Sequence, residues 1–174
     1  MHQLLLLRHA KSSWDDTKLA DRDRPLNKRG RRTAGLMRSA MQDLGLAPDL
    51  ILASPAVRTQ ETLAALEPWE DTPLVELVDS LYLASVPQLL AVLREVNETV
   101  RSVLVIGHNP GMHELAVLLA GAYATGEAAQ RLAGGFPTAA LAEFSVASQW
   151  QNLDATGSRL VRFLVPRDLP EPAA

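Results

Sequence analysis

Gln3-Leu4-Leu5-Leu6-Leu7-Arg8-His9 opens the chain with an apolar run that delivers a cation and an imidazole together. An unbroken apolar run of this length reads as a strand buried on both faces, as in a parallel sheet covered by helices. Such a strand places Arg8 and His9 at its carboxyl edge, where open α/β sheets bind ligands. Two later segments repeat the pattern. Leu50-Ile51-Leu52-Ala53 runs into Ser54-Pro55 and Arg58, and Val103-Leu104-Val105-Ile106 runs into Gly107-His108-Asn109-Pro110. Arg8, His9, Arg58 and His108 are therefore expected to converge at strand ends and form a reaction centre suited to a phosphoryl group.

Between these strands the spacing alternates to helices. Asn27 reads as the N-cap of a helix running to about Leu44 and closed by Gly45. Ser54 with Pro55, and Asn109 with Pro110, are expected to cap and start two further helices, the second closed by Gly121. Leu74 to Val78 is a weaker strand. Val86 to Val96 is an amphipathic helix with Leu89, Leu90, Leu93 and Val96 on one side. A short helix and a Gly134-Gly135 loop fit residues 122–137. Two late strands, about Ala139 to Val146 and Arg159 to Val165, flank a turn through Asp154 to Gly157. The expected fold is α/β, a three-layer α/β/α sandwich around a mainly parallel sheet, in one domain over residues 1–165. A Pro-rich tail over 166–174 is expected to fray.

Composition narrows the chemistry. The 174 residues suffice for one substantial core. The absence of cysteine excludes disulfides, thiolate nucleophiles and Cys-based metal sites. Four histidines without a paired metal-ligand spacing argue against zinc, and no cofactor is expected. The start lacks a basic n-region and a long apolar h-region, and no stretch approaches membrane-spanning length, so the expectation is a cytoplasmic chain without a membrane partner. Residues 1–60 carry 11 Lys/Arg against 6 Asp/Glu, whereas 61–174 carry 6 against 14, so an anionic substrate would be drawn to the first half. Solvated helix faces explain the same asymmetry equally well.

The site chemistry follows from residue types. Helix amino ends at the sheet's carboxyl edge favour an anion. Arg58 falls in a first helical turn, where a cation opposes the dipole unless a negative group is near, and its fork matches two phosphoryl oxygens. His108, if protonated, would add a third positive contact. His9 is the natural nucleophile, since a neutral imidazole can attack phosphorus and be released by water, and neither Ser12 nor Ser13 has a base beside it in sequence. His2 and His113 read as structural.

Arg8-His9-Ala10, Ser54-Pro55-x-x-Arg58-Thr59-x-x-Thr62 and Gly107-His108-Asn109 together resemble the histidine phosphatase superfamily, the group with the phosphoglycerate mutase-like fold. Arg8-His9-Ala10-Lys11-Ser12, Asp23-Arg24-Pro25-Leu26-x-x-Arg29-Gly30 and Phe136-Pro137-Thr138 look most like the SixA-type phosphohistidine phosphatases. The resemblance covers about residues 2–165. It implies that His9 is phosphorylated in turnover and that Arg8, Arg58 and His108 form the phosphate pocket. Ser12 and Asn109 are further candidates for substrate contact. The substrate implied is phosphohistidine in a protein. Two departures stand out: Ala10 replaces the superfamily's usual glycine, and Asp15 stands near a place where mutase-like members carry Asn.

Mutase-like relatives also use a Glu after the third strand as proton donor, and that region here reads Val75-Glu76-Leu77-Val78-Asp79-Ser80-Leu81-Tyr82. Glu76 and Asp79 are the candidates for a general acid, and a solvent-facing carboxylate at a strand end is the competing reading of each. An alkoxide leaving group needs a proton, and a positioned acid contributes roughly 10²–10⁴-fold, whereas imidazole leaves more readily, so a site without an acid suits P–N substrates. The alternatives are a small-molecule phosphomonoesterase acting on a sugar or acyl phosphate, and a non-catalytic phospho-ligand binding module. The cluster Arg22, Arg24, Lys28, Arg29, Arg31 and Arg32 either pairs locally with Asp21 and Asp23 or forms a collar guiding substrate to His9. Nucleic acid is not an expected partner, since no aromatics interleave the basic run.

Overall fold

The computed structural model describes residues 1–171. The apolar runs form strands β1 (His2–Arg8), β2 (Leu50–Ala53) and β4 (Ser102–Gly107), joined by β3 (Leu74–Leu77), β5 (Leu141–Val146) and β6 (Ser158–Leu164). Helices α1 (Lys28–Asp43), α2 (Val57–Ala65), α3 (Val86–Arg94), α4 (Gly111–Ala120) and α5 (Glu127–Gly134) alternate with them. The sheet order is β3-β2-β4-β1-β5-β6. β3, β2, β4 and β1 are mutually parallel, and β5 alone runs against the rest.

Successive side chains on a strand face opposite ways, which explains why the runs are apolar at every position. Leu4, Leu6, Leu50, Leu52, Val103 and Val105 pack on one face with Leu89 and Leu93 of α3, Met112 and Leu115 of α4, and Leu132 of α5. Leu5, Leu7, Ile51, Leu104 and Ile106 pack on the other with Met37 and Met41 of α1 and Leu63 of α2. The three layers expected from sequence are these. Each fully buried leucine contributes about 1.5–3 kcal/mol relative to exposure, so the central strands anchor the site they carry.

Local signals prevail where the side chain is free to act. Asn27 accepts from the Gly30 amide at 2.8 Å and caps α1, and Gly45 (φ 67°) supplies the left-handed turn after it. Ser54 and Asn109, expected as caps, do not cap their helices. α2 begins at Val57 after Ala56, and α4 at Gly111 after Pro110, because both polar side chains are engaged by groups at the sheet's carboxyl edge. β3 is an edge strand exposed along its whole length. The expected frayed tail is in part ordered. Pro166–Asp168 makes a 3-10 turn with Pro166 buried, and Asp168 and Glu171 pair with Arg131 and Arg32. The rest of that expectation, residues 172–174, lies outside the described residues.

Candidate active site

Arg8 and Gly107 are register partners at the adjacent ends of β1 and β4, so His9 and His108 leave the sheet side by side. Their ring centroids are 5.3 Å apart, and both rings are buried. Ser54, at the end of β2, closes the row from the other flank of β4. The expected convergence is therefore present. Arg8, His9, Ser12, Arg58, His108 and Asn109 line one cleft of about 370 Å³.

His9 is held by a single hydrogen bond that settles its tautomer. Its Nδ1 lies 2.7 Å from the Ala10 carbonyl oxygen. A carbonyl can only accept, so Nδ1 carries the proton and a neutral ring keeps a bare lone pair on Nε2. Burial, with the charges of Arg58, Arg8 and Arg24, lowers its pKa to about 4, although the carbonyl acts in the opposite sense. The backbone behind it is tied down on both sides. The Ala10 amide donates to Thr62 Oγ1 at 3.0 Å, and that hydroxyl donates to the Arg58 carbonyl at 2.7 Å. The Ala139 amide donates to the carbonyls of Arg8 and His9, and Ala139 takes a left-handed backbone (φ 60°) to do so. Ala10 is fully buried and is not among the residues with positive φ, so alanine meets no strain at the place of the superfamily's glycine.

His108 is held differently. Its Nε2 lies 2.7 Å from Ser54 Oγ, and Arg58 Nη2 approaches its Nδ1 at 3.3 Å. A guanidinium only donates, so Nδ1 accepts here and Nε2–H donates to the serine oxygen. Burial, then His9 and Arg58, lowers its pKa to about 3. The ring is therefore neutral before an anion arrives, so the condition for a third positive contact, a protonated His108, is not met at that stage.

The two arginines present donors inward. Arg8 Nη1 donates to the Phe136 carbonyl at 3.0 Å, and burial, then Arg58, lowers the Arg8 pKa. Arg58 Nη1 and Nη2 donate to the carbonyl and carboxylate of Asp21 at 2.7 and 3.0 Å. The negative group that offsets a cation in the first turn of α2 thus belongs to the chain itself. Arg8 Nε and Arg58 Nε are buried and meet no acceptor among the described residues. Asn109 Nδ2 donates to the Phe136 carbonyl at 2.9 Å, which fixes the amide and leaves its buried Oδ1 without a donor. Orphaned buried donors beside an open cleft mark the place where an oxyanion would satisfy them.

Asp21 is the functional residue that sequence reasoning undervalued. Its local pairing with Arg24 is present, with Arg24 Nε and Nη2 donating to Oδ1 at 3.2 and 3.0 Å. The same carboxylate also holds Arg58 and accepts from the Tyr82 hydroxyl. The Tyr82 hydrogen bond foremost, with Arg24 and Arg58, holds its pKa well below the usual carboxylate range despite the opposing effect of burial. Arg24 in turn donates to Ser12 Oγ at 2.6 Å and lies 3.5 Å from the centroid of the Trp14 ring, which places Trp14 on the rim. The Asp21-x-x-Arg24 spacing was the legible part. Tyr82 and Arg58 are 61 and 37 residues away, beyond any local pattern.

The remaining candidates fall outside the cleft. Glu76 lies on the exposed edge strand, and Asp79 is nearly fully exposed with its oxygen 3.9 Å from Arg22. The solvent-facing reading of both is the one the geometry favours. Asp15 is exposed. His2 faces the Ser148 and Glu98 carbonyls, and His113 the Leu132 carbonyl, as structural histidines do. Among the described residues, no group of three or more His, Cys, Asp or Glu could hold a metal ion, and no helix is long and apolar enough to cross a membrane.

Comparison with known proteins agrees with this geometry. The family model for the histidine phosphatase superfamily (branch 1) matches residues 4–79. The Mycobacterium tuberculosis protein Rv1276c is 37% identical over 162 residues, which are 92% of this chain and 100% of that one. A solved structure from Agrobacterium tumefaciens, assigned as a phosphohistidine phosphatase SixA, is 31% identical with a TM-score of 0.79, covering 95% of this chain and 98% of its own. A protein histidine phosphatase SixA complexed with tungstate is 25% identical with a TM-score of 0.75, over 95% and 98%. With nearly full coverage on both sides, this chain is a phosphatase that belongs to the histidine phosphatase superfamily, as a member of the SixA type.

Proposed function

We infer that this chain is a metal-independent phosphohistidine phosphatase, one domain over residues 1–165, acting on a phosphorylated protein of the cytoplasm. The observation that carries the reading is a locked imidazole beside unpartnered donors. His9 Nδ1 is held by the Ala10 carbonyl, Nε2 is bare, and Arg8 Nε and Arg58 Nε lack acceptors in the same region of the fold.

In the reaction, His9 Nε2 attacks phosphorus, and the P–N bond to the substrate imidazole breaks with its electron pair going to the departing nitrogen, which takes a proton from solvent. Water then attacks phospho-His9 and releases phosphate, returning the imidazole to its neutral form. Arg8 and Arg58 stabilise charge on the equatorial oxygens, the contribution that dominates phosphoryl transfer. As an oxygen takes the Arg58 guanidinium, His108 Nδ1 is freed to take a proton from solvent while Nε2 releases its own to solvent, so that the Ser54 hydroxyl then donates to Nε2 and Nδ1–H faces the phosphoryl group. Ser12 and Asn109 complete the contacts.

The preference for a P–N bond rests on Asp21. Among the described residues it is the carboxylate lining the cleft, and Tyr82, Arg24 and Arg58 hold it ionised, so it has no proton to give an alkoxide. A leaving imidazole needs little such help. Guanidinium groups supply the positive charge a metal ion would otherwise bring, so turnover should be unchanged in chelator. Mixing the protein with a labelled phosphohistidine protein and quenching should trap an acid-labile, alkali-stable phosphoryl adduct that His9→Ala abolishes. Retained turnover in that variant would end the proposal.

A further inference from the structure

The basic run around the start of α1 divides once the chain is folded. Arg22 lies over the Tyr82 ring, Arg24 joins the cleft, and Arg31 donates to the Leu26 carbonyl. Arg29 and Arg32 go elsewhere. With Arg167 from the turn after β6, they wall a second groove of about 270 Å³ that reaches Pro137 and Thr138. Thr138 lines both this groove and the catalytic cleft, so the two are neighbours across one side chain.

We propose that this groove seats an acidic segment flanking the phosphorylated side chain of a protein substrate. The inference rests on the phosphohistidine reading and names what that substrate must carry beside its phosphoryl group. The charges point one way. Lys11 on the cleft is followed by Arg29, Arg32 and Arg167 along the groove, and the first turn of α1 holds no acidic residue. Cations at a helix start oppose the dipole, and an acidic guest turns that arrangement favourable. Among the described residues, neither Arg29 nor Arg167 has an ion-pair partner. Arg32 does, and its partner is instructive: the chain's own Glu171 carboxylate sits 2.6 Å from Arg32 Nη1 with both side chains more than half exposed. The groove therefore already holds one carboxylate, in a pair open enough to solvent for a guest carboxylate to replace it.

The groove also keeps a fixed relation to the nucleophile. A Cβ on Gly30 would lie 2.0 Å from the Lys11 carbonyl oxygen, so the first turn of α1 is pressed directly onto the segment after His9. The Asn27 amide donates to that same carbonyl at 3.0 Å. Glycine is the residue that permits this approach. No aromatic side chain lines the groove, which disfavours the stacking on which single-stranded nucleic acids depend.

The test uses the full chain and two phosphohistidine peptides that differ only in flanking residues, glutamates in one and glutamines in the other. At low salt the acidic peptide should show a KM roughly tenfold lower with equal kcat, and the advantage should fade as salt rises. Arg29→Glu combined with Arg167→Glu should erase it, while hydrolysis of phosphoramidate, too small to reach the groove, stays unchanged. A second arm needs no turnover. Hexaglutamate should bind the wild type and lose that binding in the double variant, measured by calorimetry. Equal KM values for the two peptides, or hexaglutamate binding that survives the double reversal, would overturn the groove. So would a short RNA oligonucleotide that outcompetes hexaglutamate. If neither peptide is hydrolysed while phosphoramidate is, the phosphohistidine reading fails, and the binding arm still decides the groove by itself.

Discussion

The ends of β1 and β4 invite direct comparison, because these strands run in register side by side and each delivers a buried histidine. The rings are held by opposite nitrogens. His9 is tied through Nδ1 to the carbonyl one residue on, whereas His108 is tied through Nε2 to a serine 54 residues away. A carbonyl can only accept, so the β1 ring has one tautomer and an always available Nε2. A hydroxyl both donates and accepts, so the β4 ring can exchange its proton as the charge beside it changes. The same residue type at equivalent strand ends thus becomes an imidazole of one fixed tautomer in one place and an adaptable hydrogen-bond partner in the other.

Replacing each ring separately tests this division most directly. His9→Ala should lower kcat/KM by about 10⁴-fold or more and leave no phosphoryl adduct, since the covalent route is lost. His108→Ala should cost about 10²–10³-fold, comparable to losing one oxyanion donor, and the adduct should still form slowly on His9. Rapid quench on both variants reads the difference. Equal losses with no adduct in either case would mean that the two strand ends are not specialised.

Acidity sharpens the comparison, because both rings are held neutral by burial. With the His9 pKa lowered to about 4, the acid limb of the kcat/KM profile should have its midpoint near 4 rather than near the ordinary histidine value. The sign for stability is the same. From the ordinary value down to about 4 for His9 and about 3 for His108, the unfolded chain binds protons that the folded rings refuse, so stability falls as pH drops through that window and is unaffected above it. Denaturant melts at successive pH values should show a loss on the order of a few kcal/mol for the pair, absent from a variant lacking both rings.

Ser54 tests the adaptable side alone. Ser54→Ala removes the partner of His108 Nε2 without touching the ring, and should cost about tenfold in kcat with little change in KM, in line with the loss of one supporting contact. A wild-type rate in Ser54→Ala would show that the serine does not govern the ring.

The ease of reading these features from sequence depends on how local their causes are. The strand ends and their four chemical groups were legible, because apolar runs and the residues directly after them are contiguous. Asn27 behaves as its type predicts, since nothing else competes for its side chain. Ser54 and Asn109 carry the same helix-start signal without acting as caps, because His108 and the Phe136 carbonyl claim them across the fold. Tertiary partners displace local preference at the places where the site needs those groups. The docked tail was illegible for a related reason: its contacts with Arg32 and Arg131 lie far back in the chain.

Asp21 joins the two arginine systems, and the effect of changing it should be the smallest, because two opposed consequences partly cancel. Its carboxylate bridges Arg24 and Arg58, orienting both forks, yet it also places a negative charge in the cleft proposed to take the phosphoryl group. Asp21→Asn keeps a polar bridge and removes the charge. Vanadate should then bind up to about fivefold more tightly, as expected for losing one half-exposed like charge, while kcat falls because Arg58 is less firmly held. Steady-state inhibition and turnover measured on the same preparation separate the two consequences. Weaker vanadate binding together with lower kcat would assign Asp21 to positioning alone. Tighter binding would show that the chain keeps an internal anion against its phosphate site, one that substrate must outcompete for Arg58.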